Sequence, residues 1–529
     1  MKQTLKRVLS MLLVVAMLGG MLVLTASAED TVQTIAVTEE GYTITENGSY
    51  QVEAGSTGMI TVAAGVSNVT IIGNGAEWDS DPASETYGTI NTAPFEALYI
   101  DCSAAPGITL TLKDIYISKG EDEYNVLDFS GKGNTLVYDG TIILDNETNM
   151  RYALVHVGPN TELTIYGTTG SSAYLYKYDQ AAGIGGDAEE SCGTINMGVK
   201  GGANDFYFFM KGSKQGAVIG NGANVSDTPS TINFYSGVYN LLGIASGAIV
   251  GGSGGSASEA AGNVYVYGGL LNLTVTWAGA AIGGGFKQAD GTGSNDKGGG
   301  YLYVSGGSVR TYIGTNAVEN NCWTGVTETG VNDTAITATK VNADVDAVYL
   351  LAVDTSAVEG STCTVAVDGT TLYTGPRYSH YFAYEDVNRS GEGTTKPVVS
   401  TNPLGTPGNW LPMSGDKVEN NLYFYVTGKD HTVTLNDKTY DCVWDSATET
   451  FTLTEKEEET VLYGDVNGDG KIRANDAMLV LQHVAMMDVT IDEAAADVSG
   501  DGKIRSNDAM LILQYVAMTI EEFPVVSNG

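Results

Sequence analysis

The sequence predicts a mainly β chain: a solenoid of parallel strands, then a small all-β domain, then a small α-helical module with two calcium loops. Three observations carry this. Residues 30–335 are rich in Gly, Asn, Thr, Ser and β-branched residues and show no helical periodicity. Within them a small apolar turn recurs at spacings of 35, 31 and 32 residues. Near the C-terminus a 22-residue segment occurs twice at an offset of 32, with 18 positions identical.

The N-terminus reads first. Lys2, Lys6 and Arg7 form a basic region, Val8 to Leu24 is apolar, and Ala26-Ser27-Ala28 offers a small-residue cleavage site. Residues 1–28 are therefore expected to be a secretory signal peptide, and the mature chain to be secreted and extracellular. No other apolar run approaches the ~20 residues needed to span a bilayer, so no membrane insertion is expected. Cleavage removes three positive charges and no acid, which takes the formal charge from −37 to −40. Such acidity argues against nucleic acid and anionic membranes as partners. It also disfavours polyanionic substrates unless calcium bridges. The five cysteines (Cys102, Cys192, Cys322, Cys363, Cys442) are too few and too widely spaced for a disulfide framework. Cys363 and Cys442 fall in one domain and are able to pair.

Residues 29–335 form the solenoid. Short alternating strands such as Met59 to Val62, Val69 to Ile72, Ile108 to Leu112 and Leu163 to Ile165 are bounded by Gly and Asn. The repeated turn is Ala182-Gly183-Ile184-Gly185-Gly186, Ala217-Val218-Ile219-Gly220-Asn221, Ile249-Val250-Gly251-Gly252 and Ala281-Ile282-Gly283-Gly284. Strands follow at Ile195 to Met197, Ile232 to Phe234, Val264 to Val266 and Leu302 to Val304. A period of this length built on short strands means stacked coils. Small residues suit corners where coils approach closely, and alternate strand residues make an inward apolar ladder. The region resembles the Gly-rich right-handed parallel β-helices of secreted carbohydrate-active and adhesive proteins.

No catalytic signature is legible in the solenoid. A glycosidase needs two carboxylates flanking the bond, about 5–9.5 Å apart, and a lyase needs a base. The polygalacturonase elements and the paired Arg of pectate lyases are missing, and His156 is the only histidine of the region. Carboxylates able to converge in the loops after each turn are Asp187, Glu189, Glu190, Asp227, Glu259, Asp290 and Asp296; solvated loop acids are the plainer reading. Tyr265, Tyr267, Tyr301 and Tyr303 alternate with inward residues of neighbouring coils. They are expected to face outward in rows ~4.8 Å apart and to be carbohydrate-binding, although Tyr also favours exposed β surface for its own sake.

Residues 338–456 change character. Val348 to Val353 is a buried-strand run, and Thr364 to Val367, Asp368-Gly369, Thr370 to Tyr373 is a hairpin signature. Leu422 to Val426 and Thr432 to Leu435, the latter followed by Asn436-Asp437, give another. A small all-β domain is expected here, then a solvated linker at 457–461.

Residues 462–523 hold the duplication: DVNGDGKIRANDAMLVLQHVAM from Asp465 and DVSGDGKIRSNDAMLILQYVAM from Asp497. A 12-residue calcium loop supplies oxygens from positions 1, 3, 5, 7, 9 and 12. Those are Asp465, Asn467, Asp469, the Lys471 carbonyl, Arg473 through water, and Asp476. In the second copy they are Asp497, Ser499, Asp501, the Lys503 carbonyl and Asp508. Gly470 and Gly502 stand at position 6, where the loop turns sharply. Ser499 is a weaker ligand than Asn467, which predicts a weaker second site. The closing residue is Asp, whereas the EF-hand loop closes with Glu. Asp476 and Asp508 are also candidate caps for the helices that follow.

This segment resembles a dockerin, the calcium-binding module that plugs enzymes and binding proteins into cohesins on a scaffoldin. The two loop–helix repeats, the closing Asp residues, and Ile472 and Ile504 after position 7 carry the resemblance. It implies two calcium ions and a cohesin partner. It places cohesin contacts at Ala474, Asn475, Leu481 and Gln482, and at Ser506, Asn507, Leu513 and Gln514. The familiar Ser-Thr recognition pair is absent, and near-identical repeats imply docking in two orientations related by a half-turn. The sequence thus leads to a secreted cellulosome-type component with polysaccharide as the other partner. The solenoid is left as a carbohydrate-binding or adhesive module, or as a glycoside hydrolase or lyase of unrecognised type; a structural protein is the third alternative, and no residue suggests it.

Overall fold

The structure, a computed structural model, describes residues 32–77, 92–118, 124–146, 151–177, 179–212, 214–225, 230–244, 246–254, 263–275, 279–285, 300–313, 338–341, 348–382, 416–448, 450–456 and 461–527. The expected signal peptide lies outside these residues, as do Asp227, Glu259, Asp290, Asp296 and Cys322. The chain divides after Glu455 into two compact units.

The first unit is a stack of coils in which every strand-to-strand pairing between coils is parallel. One face is a nine-stranded sheet of short strands: 42–44, 58–62, 98–101, 127–129, 155–157, 184–185, 219–220, 250–251 and 282–283. The other two faces join into one 17-stranded sheet. They join because Thr109–Ser118 and Asn134–Asn146 run across both, bending at Asp114 and Gly140. This parallel architecture is the one expected of a β-helix.

The repeated turn is the last part of the short-strand face. Gly185, Gly220, Gly251 and Gly283 stand in register, each with φ between +121° and +144°. A Cβ on Gly185 would lie 1.8 Å from the Gly220 carbonyl oxygen, and one on Gly220 would lie 2.1 Å from that of Gly251. Glycine here serves both the backbone angle and the close approach of coils.

On the second face the alternation is clean. Ile195, Ile232, Val264 and Leu302 stack inside, as do Met197, Phe234, Val266 and Val304, all buried. Thr194 and Asn196, Thr231 and Asn233, and Asn263 and Tyr265 point out. The strand 338–341 adds parallel beyond 300–304.

The third face holds strands 172–177, 207–211, 238–243, 270–275 and 308–313. The first four are buried at every position. Their inward residues join the solenoid core, and their outward ones are covered by described residues of 348–376 and 421–445. Tyr174, Tyr207, Phe209, Val238 and Leu270 share one apolar cluster with Leu351, Val365, Leu422, Phe424 and Val433. Backbone bonds tie the seam: the amide of Gly307 donates to the Leu372 carbonyl at 2.8 Å. Asn204 Nδ2 donates to the Thr374 carbonyl at 2.7 Å, and the amide of Tyr423 donates to Ser308 Oγ at 2.9 Å.

The covering segment is antiparallel. Strands 362–367 and 370–376 form the expected hairpin, with Asp368 and Gly369 both at positive φ. Strand 430–435 turns at Asn436-Asp437 to pair with 438–445, whereas 421–427 pairs with 348–354. Cys363 and Cys442 are free thiols, so the pairing that the sequence permitted is not made. Burial pushes both up to about 12.

The second unit is helical: α1 (Ala474–Val484), α2 (Glu493–Ala496), α3 (Ser506–Val516) and α4 (Pro524–Ser527). Its core is built from matched residues of the two copies: Val466 and Val498, Ala477 and Ala509, Val480 and Ile512, closed by Ala496 and Phe523. The Val480/Ile512 difference therefore falls where α1 and α3 face the shared core. Tyr515 stacks on Phe523 at 4.7 Å between ring centroids, a contact specific to the second copy.

Candidate functional site

Each loop of the helical unit is organised around its first aspartate. Asp465 is buried; its Oδ1 accepts from the Asp469 amide at 3.1 Å and its Oδ2 from the Gly470 amide at 2.6 Å. Asn467 Oδ1 accepts from the Asp469 amide, and Asp469 Oδ1 from the Lys471 amide. In the second loop Asp497 accepts from the Gly500, Asp501 and Gly502 amides. Asp501 Oδ1 accepts from the Lys503 amide at 3.0 Å. Gly470 and Gly502 adopt φ of +77° and +76°, the turn expected at position 6.

The closing aspartates act differently from the N-caps the sequence suggested. The helices begin at Ala474 and Ser506, so Arg473 and Arg505 hold the N-cap position. Asp476 and Asp508 sit three residues on, and each Oδ2 reaches back to the Arg473 or Arg505 amide at 2.8 Å. This is the returning half of a capping box, and it ties the last loop position to the first helical turn.

The residues present fit a calcium ion. The Oδ1 of Asp476 is buried with no hydrogen-bond partner, a costly state for a carboxylate oxygen unless a cation meets it. In the second loop the equivalent oxygen of Asp508 accepts from the Ser499 amide at 3.0 Å, and Ser499 Oγ donates to Asp497 Oδ1. The second loop thus spends on internal hydrogen bonds oxygens that the first leaves available.

The helix faces opposite the core are apolar and exposed. Met478 and Leu481 are 52% and 44% exposed, and Met510 and Leu513 are 50% and 43%. Ala474 and Asn475, and Ser506 and Asn507, are exposed beside them, with Gln482 and Gln514 half-buried. All eight residues that the resemblance implicated thus lie at least partly in solvent.

On the solenoid, the tyrosines gather on the second face. Tyr265 and Tyr303 are in register on adjacent coils, 6.3 Å apart by ring centroid. Tyr267 lies parallel to Tyr265 (5°) and to Tyr235 (8°), the latter at 5.2 Å. Tyr235, which follows its strand as Tyr267 follows the next one, was not singled out in the sequence. The side chain of Tyr301 lies outside the described residues. Tyr303 is tilted against Tyr265 and Tyr267, by 49° and 54°. The row continues along the axis through Asn233, Asn196 and Thr164, joined by Asn233 Nδ2 donating to Asn196 Oδ1 at 2.8 Å. A cavity of about 370 Å³ opens beside it, lined in part by Thr168, Asp205 and Ser236.

Two of the loop carboxylates, Asp187 and Glu190, do converge, on His156 and Asp128, a grouping the sequence did not specify. His156 Nδ1 lies 2.6 Å from Asp128 Oδ1, and Nε2 lies 2.8 Å from Glu190 Oε2. Asp187 Oδ1 accepts from the Ala153 amide and from Asn125 Nδ2, both at 2.7 Å. Burial opposes charge on the ring. The hydrogen bonds to Asp128 and Glu190, with the charges of Asp187 and Asp128, outweigh it and raise His156 to about 10. Burial raises Asp187 against the pull of His156, whereas the His156 hydrogen bond lowers Glu190 despite burial. Partners 28 and 34 residues from His156 are about one coil away, a signal that aligning the chain on the solenoid period could have found.

Two loop–helix repeats around one core define a paired calcium-loop module. Residues 463–517 match the family of the dockerin type I domain, and this unit is a dockerin. Type I dockerins bind calcium, and a dockerin supports docking to a cohesin within a cellulosome-type assembly. Dockerin-bearing proteins are typically extracellular. Among the described residues no helix is long and apolar enough to cross a membrane. No curated protein and no solved structure matches the chain.

Proposed function

We propose that the protein is a secreted cellulosome-type component that docks through a dockerin holding two calcium ions and engages polysaccharide through its solenoid. The observation that carries the docking half is the pair of exposed apolar faces on α1 and α3. Contiguous apolar surface of this kind calls for a partner. Leu481 with Met478, and Leu513 with Met510, supply its apolar centre. Ala474, Asn475 and Gln482, with Ser506, Asn507 and Gln514, supply a polar rim. The two faces are near-equivalent, which supports docking in either of two orientations.

Calcium supplies charge neutralisation and cross-linking of each loop. Asp465, Asn467, Asp469, the Lys471 carbonyl and Asp476 are the proposed ligands of the first ion. Asp497, Ser499, Asp501, the Lys503 carbonyl and Asp508 are those of the second, which binds more weakly. The capping bonds of Asp476 and Asp508 couple loop order to the start of each docking helix. Calorimetry with a cohesin tests this reading. Asp465→Ala with Asp497→Ala is expected to abolish calcium-dependent binding, and an unchanged affinity would remove the assignment.

For polysaccharide, the supporting observation is the in-register row Thr164, Asn196, Asn233, Tyr265 and Tyr303. It offers hydroxyls and amides at strand spacing along the axis, with Tyr267 and Tyr235 widening it. Such groups suit a repeating polyhydroxylated chain. Affinity electrophoresis against a panel of plant polysaccharides tests it, with reducing-end and unsaturated-product assays run alongside. Tyr265→Ala with Tyr267→Ala is expected to lose retardation. Equal retardation of variant and wild type would refute the row as the contact.

A further inference from the structure

Asp128 and His156 occupy adjacent rungs of the short-strand face, and the next rung in register is Gly185. Just beyond that rung residues 187–190 form a turn, closed by the Glu190 amide donating to the Asp187 carbonyl at 3.0 Å. This brings Asp187 and Glu190 to the imidazole, so that one ligand atom from each of His156, Asp187 and Glu190 lies within 4.8 Å of the others. The three come from two coils and are each held in place. Asp128 fixes Nδ1 of the ring. The Ala153 amide and Asn125 Nδ2 orient Asp187, and the Asp187 amide donates to Glu190 Oε2 at 3.1 Å.

A second observation concerns the space beside these donors. A Cβ at Gly158 would lie 2.9 Å from His156 Nε2 and 3.1 Å from Glu190 Oε1. Gly158 is not among the glycines with left-handed backbone, so its φ does not demand glycine. What glycine does here is keep a side chain from crowding the ring nitrogen and the carboxylate.

We propose that His156, Asp187 and Glu190 bind a divalent transition-metal ion of the zinc class, with Asp128 as the group that orients the imidazole. One imidazole and two carboxylates form a three-ligand set that leaves a fourth position for water or a ligand. A carboxylate on the far ring nitrogen is the usual support of a metal-bound histidine. Binding replaces the proton on Nε2, which leaves to solvent, and the Glu190 oxygen passes from the ring to the metal. The proposal goes beyond docking and polysaccharide binding and rests on neither. The dockerin loops offer only oxygen ligands suited to calcium, so excess calcium separates the two kinds of site.

The test is calorimetric titration of the full chain with zinc chloride in saturating calcium, repeated in buffers of different ionisation enthalpy. The expected result is a 1:1 event with proton release. Its affinity is expected to fall at least tenfold in Asp187→Asn and in Glu190→Gln, which preserve side-chain size, and also in Gly158→Ala. Titration with cobalt, read by its visible absorption, is expected to lose its tetrahedral bands in the same variants. His431→Gln and His483→Gln serve as controls and are expected to leave the event intact. Absence of zinc binding by the wild type overturns the proposal, and so does an unchanged isotherm in Asp187→Asn and Glu190→Gln. An unchanged circular dichroism spectrum and an unchanged thermal transition of the metal-free variants verify that the solenoid folds.

Discussion

Phe424→Ala tests the seam between the solenoid and the segment that covers it. Phe424 is fully buried on strand 421–427, in one cluster with Tyr174, Tyr207, Phe209 and Leu270 of the third solenoid face. Its ring lies 6.4 Å from that of Tyr373. Truncation leaves a cavity in a place where neither layer can collapse, since both are held by backbone hydrogen bonds. The loss is about 3–5 kcal/mol. A stack of coils opens in parts rather than all at once, so the readout is native-state hydrogen exchange. The amides of strands 348–354 and 421–427 are expected to exchange roughly 10²- to 4 × 10³-fold faster, at about 1.4 kcal/mol per decade. Val443→Ala, half-exposed in the same segment, is expected to change exchange by only about twofold. If Phe424→Ala alters these rates by less than about threefold, the covering segment is not anchored through this cluster.

Three other outcomes follow from the same geometry. Gly220→Ala, which forces a Cβ to 2.1 Å from the Gly251 carbonyl at a φ of +144°, is expected to cost about 3 kcal/mol or more; fast exchange at the Ile219 and Asn221 amides, which donate to the Ile249 and Gly251 carbonyls, reports it. Asp139 bridges coils by accepting from Lys113 Nζ at 2.9 Å and from Thr168 Oγ1 at 2.8 Å, and these bonds lower its pKa against the effect of burial. Its contribution is therefore present above the ordinary aspartate value of 3.8 and lost as pH falls through the depressed folded value. The difference in urea midpoint between wild type and Asp139→Asn is expected to vanish on that acid limb, and a pH-independent difference would contradict the ion pair. Ile512→Ala, buried between the dockerin helices, is expected to cost about 2–5 kcal/mol, to raise the calcium needed for folding by circular dichroism titration, and to do so more than Met510→Ala.

The dockerin was legible because its information is local. Loop ligands fall within twelve residues, and each loop runs directly into its helix. The exposed face of each helix followed from the resemblance through Leu481 and Leu513, whereas the burial of Ala477 and Val480 against the second copy was shown only by the structure. The solenoid turns and the inward and outward residues of the second face were also readable, since one face meets solvent and alternation survives. The third face was not, because strands such as Ser172–Lys177 are buried on both sides and lose their alternation.

The sequence by itself determined the calcium-loop repeat, the Gly corners and the outward Tyr positions. Each is set by backbone angle, close approach or a two-residue period, which neighbours in the chain impose. Only the tertiary structure decided that described residues of 348–376 and 421–445 cover a flank of the solenoid, that Cys363 and Cys442 stay apart, and that Asp128, His156, Asp187 and Glu190 meet. Those outcomes depend on how successive coils stack and on what packs against them. Contacts between residues 28 to 62 positions apart are fixed by the rise of one coil on the next, which no single segment encodes.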